Sequence, residues 1–107
     1  MGETLDDREF QDLVDQDFMR IEDAVDELDV DIDIDSAGGV LTFTAPDQSQ
    51  IILSRQVANH EIWVAAKSGG FHLKKTETSW YCDTTSEDLE AIVNRVFTEQ
   101  AGLAVFN

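Results

Sequence analysis

Between Ile21 and Asp35 the chain changes its hydrophobic period without changing its charge. The segment reads IEDAVDELDVDIDID. Ile21, Val25 and Leu28 fall three to four apart, the helical period. Val30, Ile32 and Ile34 then alternate with Asp31, Asp33 and Asp35, the strand period. This predicts a helix end, a short turn and a strand, each with an apolar seam on one side and carboxylates on the other. Eight of the fifteen residues are acidic and none is basic: Glu22, Asp23, Asp26, Glu27, Asp29, Asp31, Asp33 and Asp35. A disordered acidic tail carries no such seam, so the segment reads as a folded, continuous acidic ridge.

The ridge dominates the charge of the whole chain. The net charge is −16 over 107 residues, and fifteen of the twenty-three acids lie in the first 35, beside only Arg8 and Arg20. Such a surface repels duplex nucleic acid and anionic membranes and attracts basic proteins or metal cations. A hydrophobic content of 42% supports one core and a single domain over residues 1–107. Cys82 is the only cysteine and excludes an intramolecular disulfide, which suits a reducing compartment. The first residues show no basic-then-apolar signal pattern and no apolar run reaches membrane-spanning length. The expected location is cytoplasmic.

Residues 4–28 predict one amphipathic helix, with Phe10, Leu13, Val14, Phe18, Ile21, Ala24, Val25 and Leu28 as its stripe. Thr4 or Asp6 is placed to cap it. Asp17 projects into the stripe and demands a rim position or a partner. At the other end Asp26, Glu27 and Asp29 oppose the helix dipole at about 0.3–1 kcal/mol each when exposed. Glu22–Asp26 and Asp23–Glu27 are like-charge pairs at i,i+4, costing about 0.2–0.5 kcal/mol each. Either this is a highly solvated face, or a cationic partner relieves the repulsion.

After the ridge the period is two. Strands are expected at 30–35, 40–44, 50–55, 61–66, 71–74 and 79–82. Turns fall at Ser36–Gly39, Pro46–Ser49, Lys67–Gly70 and Lys75–Thr78, and a short loop at Val57–His60. A second helix starts near Asp83–Ser86, capped by one of its hydroxyls, with Glu87, Asp88 and Glu90 in the first turn. Leu89, Ile92, Val93, Val96 and Phe97 form its buried stripe. Gly102 stops it, and Leu103–Phe106 packs back on the domain. Short loops make the strands an antiparallel meander, and both helices need one sheet face. The fold class is α+β: a two-layer sandwich with N- and C-terminal helices on one face of an antiparallel sheet of five to six strands. Thr42, Thr44, Ser54 and Lys74 suit the sheet's open face.

The remaining candidates carry two readings each. His60 and His72 are soft metal ligands or structural residues. Cys82 reads as a buried small apolar group and Trp80 as core. Trp63 is core or an exposed platform, and on pattern alone both stand. Carboxylates are hard ligands for iron, manganese, magnesium or calcium. Those of Asp31, Asp33 and Asp35 would repeat about 7 Å apart along a strand. That spacing holds several cations loosely, with poor selectivity, and builds no cage.

Four segments together resemble the frataxin family, in particular its short bacterial CyaY-type members. They are the acidic helix-to-strand junction, GGVLTFT at 38–44, SRQ followed by HEIWVAAKSGGFHL within 54–73, and SWYCD at 79–83. Ser54 stands where the family often has Asn, Val57–Asn59 lacks a common proline, and Asp17 occupies a commonly apolar position. The resemblance implies an α-β sandwich and an iron-binding regulator of iron–sulfur cluster assembly that is not an enzyme. It implies iron, Fe²⁺ or Fe³⁺, on Glu22, Asp23, Asp26, Glu27, Asp29, Asp31, Asp33 and Asp35. It also implies docking of Glu22, Asp23, Asp26 and Glu27 on a cysteine desulfurase, and contact with the scaffold protein through Trp63. Arg55, Gln56 and Asn59 are expected to extend that surface. A monomer is expected, with assembly when iron neutralises the ridge. The rival readings are a ferroxidase or iron buffer, and an acidic mimic of nucleic acid.

Overall fold

The computed structural model describes residues 6–77 and 79–106. The elements in order are α1 (Asp7–Glu27), β1 (Asp33–Ala37), β2 (Val40–Thr44), β3 (Gln50–Gln56), β4 (Glu61–Ala66), β5 (Gly69–Lys75), β6 (Trp80–Cys82), β7 (Glu87–Asp88) and α2 (Leu89–Ala101). The seven strands form one antiparallel sheet in sequence order, so each pairs with its chain neighbour. Phe10, Val14, Phe18, Ile21 and Val25 of α1 and Ile92, Val93, Val96 and Phe97 of α2 enter one core with Leu41, Phe43, Leu53, Ile62, Val64 and Leu73 of the sheet. Both helices therefore lie on the same face, as the α+β sandwich requires.

Asp6 caps α1 by accepting the Glu9 N–H at 2.8 Å, while Glu9 returns a bond to the Asp6 N–H. The alternative cap, Thr4, lies outside the described residues, as does Thr78 of the fourth expected turn. Asp17 is explained by Trp80. The buried Trp80 indole donates to Asp17 Oδ2 at 2.7 Å, so the acid in the stripe satisfies the one polar atom of a core ring.

Most boundaries differ from the sequence reading by a residue or two, as where Gly69 and Gly70 belong to β5 rather than to the turn before it, and three differences change the architecture. The first strand begins at Asp33, because Asp29 takes φ +55° and residues 30–32 form a tight turn with Ile32 donating to the Val30 carbonyl at 2.9 Å. The chain needs those residues to pass from the helix layer to the sheet edge. Ser36 and Ala37 then extend β1, and Gly38 and Gly39, both at positive φ, make the whole turn. The second helix starts later than expected. Ser86, at φ +58°, turns the chain so that Glu87 and Asp88 pair with Cys82 and Tyr81 as a seventh strand. Asp88, not a hydroxyl, is the N-cap, accepting from Ala91 N at 2.9 Å. Gly102 closes α2 at φ +77°, as the sequence reading placed it. The tail folds back: Asn94 Oδ1 accepts from the N–H groups of Val105 and Phe106, each at 2.8 Å.

Candidate functional site

The ridge occupies the C-terminal half of α1, the turn after it and the first edge strand. Asp23, Asp26, Glu27, Asp29, Asp31, Asp33 and Asp35 are exposed and Glu22 is half-buried. The register divides them. Asp33 lies opposite Thr44 and Asp35 opposite Thr42, so both carboxylates leave the open face of the sheet, whereas the helix acids lie on the covered side. The ridge thus wraps around the β1 edge. Asp31 sits in the preceding turn, so the strand repeat joins only Asp33 and Asp35.

No ridge acid forms an ion pair among the described residues. Three of the chain's four arginines, Arg20, Arg55 and Arg95, are engaged with other acids. Arg20 meets Glu90 at 2.7 Å and Asp17 at 3.6 Å. Arg95 forks onto Glu87 at 2.9 and 2.8 Å and reaches Glu99 at 3.6 Å. This guanidinium holds the Glu87 carboxyl below its usual value. Among the described residues no three His, Cys, Asp or Glu side chains converge on one point. The ridge offers hard oxygen donors, singly or in neighbouring pairs, to cations that keep most of their water.

The open sheet face carries the second group. Thr42, Thr44, Ser54, Gln56, Trp63, His72 and Lys74 share it by register. Trp63 is half-buried there, stacked on His72 with ring centroids 4.2 Å apart and planes within 8°. Its indole N–H donates to Glu61 Oε1 at 2.8 Å. Glu61 was missed by the sequence reading, although the strand period places it beside Trp63.

Arg55 does not join this face. It follows Ile51 and Leu53 on the covered side, with its side chain 13% exposed. It donates to Gln11 and Asp15 of α1 at 2.7 Å each and to the Gly39 carbonyl at 3.2 Å, and it lies 5.2 Å from the Phe18 ring centre. It clamps helix to sheet. Gln56 stays on the open face, and Asn59 is exposed in the β3–β4 turn. His60 stacks on Phe10 and reaches Asp7 at 2.8 Å, tying that turn to the start of α1. Cys82 is buried, 3.2 Å from the Thr84 hydroxyl.

Known proteins share both sequence and fold. A family model for the frataxin-like domain matches residues 3–103. The chain is 50% identical over 95 residues to the iron–sulfur cluster assembly protein CyaY of Pseudomonas paraeruginosa, covering 87% of this chain and 88% of that protein. It is 43% identical over 98 residues to the CyaY of Vibrio campbellii, covering 92% and 94%. The frataxin of Psychromonas ingrahamii superposes with a TM-score of 0.88 at 25% identity, over 96% of this chain and all of that one. The trimeric yeast frataxin solved with ferrous iron shares the fold at a TM-score of 0.72 and 18% identity, over 95% and 91%. The chain that carries this acidic edge and tryptophan face belongs to the frataxin family, among its bacterial CyaY-type members.

Proposed function

We propose that this protein is an iron-binding regulatory adaptor of iron–sulfur cluster assembly. The acidic edge holds Fe²⁺ or Fe³⁺ as cargo and docks on the basic surface of a cysteine desulfurase, and the Trp63 face meets the scaffold protein or a neighbouring loop. The names of its CyaY relatives support the pathway. The observation that carries the docking reading is the unmatched charge. Eight acids are gathered on one edge with no ion-pair partner among the described residues, while Arg20, Arg55 and Arg95 are bound to acids elsewhere.

Self-repulsion along the edge is relieved by a cation or by a partner's lysines and arginines, so metal and partner address the same carboxylates. Iron bound between edge and partner bridges them; iron in excess competes. Calcium or magnesium binds the same oxygens in this account, since the donors select for hardness rather than for one metal. The protein changes the rate of a reaction on its partner and has no turnover of its own. It works in the cytoplasm, as a monomer when iron is scarce.

The test is charge reversal. Asp23→Lys, Asp26→Lys and Glu27→Lys together should abolish desulfurase binding and leave the circular dichroism spectrum unchanged. Unchanged affinity in the folded variant would remove the edge as the docking site.

A further inference from the structure

We propose that Glu61 and His72 hold Trp63 as a rigid platform whose ligand is an arginine side chain of the docking partner. The inference rests on the reading above that the partner is a basic protein, and it assigns a chemistry to the second contact surface.

The platform is built from three strands. Ser54, Trp63 and His72 lie in one row across β3, β4 and β5, and Glu61 lies opposite Lys74 on the same face. Stacking on His72 at 4.2 Å fixes the plane of the indole. The bond from the indole N–H to Glu61 at 2.8 Å fixes its edge. A half-buried tryptophan on an open sheet face is not held by core packing, so these two neighbours supply the order that packing gives a core ring. One ring face is covered by His72. The cross-strand neighbour on the other side is Ser54, whose short side chain carries no ring or long stem to cover the second face.

That second face has a chemical preference. An indole face attracts cations, and a guanidinium also stacks flat on it. Glu61 forms no ion pair among the described residues, and its second carboxylate oxygen is left to receive a guanidinium N–H. Arginine fits both demands with one planar group; lysine offers a point charge without the plane. Lys74 is the counterweight. It lines the same hollow as Glu61, His72, Tyr81 and Asp83, a space of about 430 Å³, and competes for the Glu61 charge.

The experiment is an NMR titration of the Trp63 indole N–H with the blocked tripeptides Gly-Arg-Gly, Gly-Lys-Gly and Gly-Gln-Gly. The Trp80 indole, buried on Asp17, serves as internal control. The arginine peptide should shift the Trp63 signal saturably, the lysine peptide several-fold more weakly, and the glutamine peptide not at all. Glu61→Gln keeps an acceptor for the indole and removes the charge; it should weaken arginine binding at least fivefold. Lys74→Gln should strengthen it. His72→Ala should broaden the Trp63 signal and weaken binding, and His72→Phe should restore both. An equal response to arginine and glutamine, or an unchanged Glu61→Gln variant, overturns the proposal. The ridge-reversed variant should bind the arginine peptide normally. A failed peptide titration beside intact desulfurase docking therefore sinks the platform alone, and the converse sinks the docking reading alone.

Discussion

The middle of α1 and its C-terminal end handle negative charge in opposite ways. Around the middle of α1 and along α2, the arginines are matched to acids. Asp17 takes the Trp80 indole and Arg20, Arg20 takes Glu90, and Arg95 takes Glu87 and Glu99. From Glu22 to Asp35 eight acids stand without a single ion pair among the described residues. The first arrangement uses charge to hold elements together. The second spends stability to keep charge available, which points to an interaction outside the chain. On the proposed reading, acidity as such is not the functional signal; acidity without a partner is.

The comparison breaks most visibly at Asp17. Replacing it with Ala leaves a buried indole N–H without an acceptor, and should cost about 1–3 kcal/mol in a urea melt. Asp17→Asn, which keeps an acceptor, should cost much less. Next comes the fork. Arg95→Met should cost about 1–2 kcal/mol, a modest sum because the pair is 33% and 22% exposed. Its pH dependence has a definite sign. Glu87 is depressed in the folded state, chiefly by its hydrogen bonds from Arg95, so its contribution is complete above the usual glutamate value. That contribution is lost as pH falls through the lower folded value. The stability gap between wild type and Glu87→Gln should therefore close with acidification across that window, as read by melts at several pH values. A gap independent of pH would mean the fork does not depress Glu87.

The ridge should respond in the opposite direction. Asp26→Asn with Glu27→Gln removes charges that face the negative helix end and their i,i+4 repulsions. The pair should stabilise the fold by about 0.5–1.5 kcal/mol at low salt and by less at high salt. If neutralising these acids destabilises the protein, the ridge is structural and the contrast between the two regions disappears.

Much of this was legible in the chain. The change of period at Leu28–Val30 marks the junction, alternation through Ile62–Leu73 separates core from open face, and Gly102 marks the end of α2. Three things were not. The apolar run of Val30, Ile32 and Ile34 reads as strand throughout, but crossing between layers takes residues that periodicity cannot reserve, so β1 begins only at Asp33. Glu87 and Asp88 look like helix-start acids, and only the positive φ at Ser86 reveals that they first pair with β6. Asp17 gave a clear discord without its resolution, because its partner lies sixty-three positions away. Arg55 is a different lesson. Alternation from Ile51 and Leu53 places it on the covered face, and adjacency to Gln56 was the weaker guide. The ridge acids were legible individually; their lack of partners was not, since pairing depends on where the arginines end up.

In the proposed function the acidic edge is an electrostatic docking surface gated by iron. The most direct measurement is the affinity for the cysteine desulfurase across a range of salt concentrations, with and without Fe²⁺. Binding should be tight at low salt and weaken steeply as salt rises, with a shallower slope for the ridge-reversed variant and a change in affinity when iron occupies the edge. Binding that ignores both salt and iron, or no binding at low salt, would contradict it.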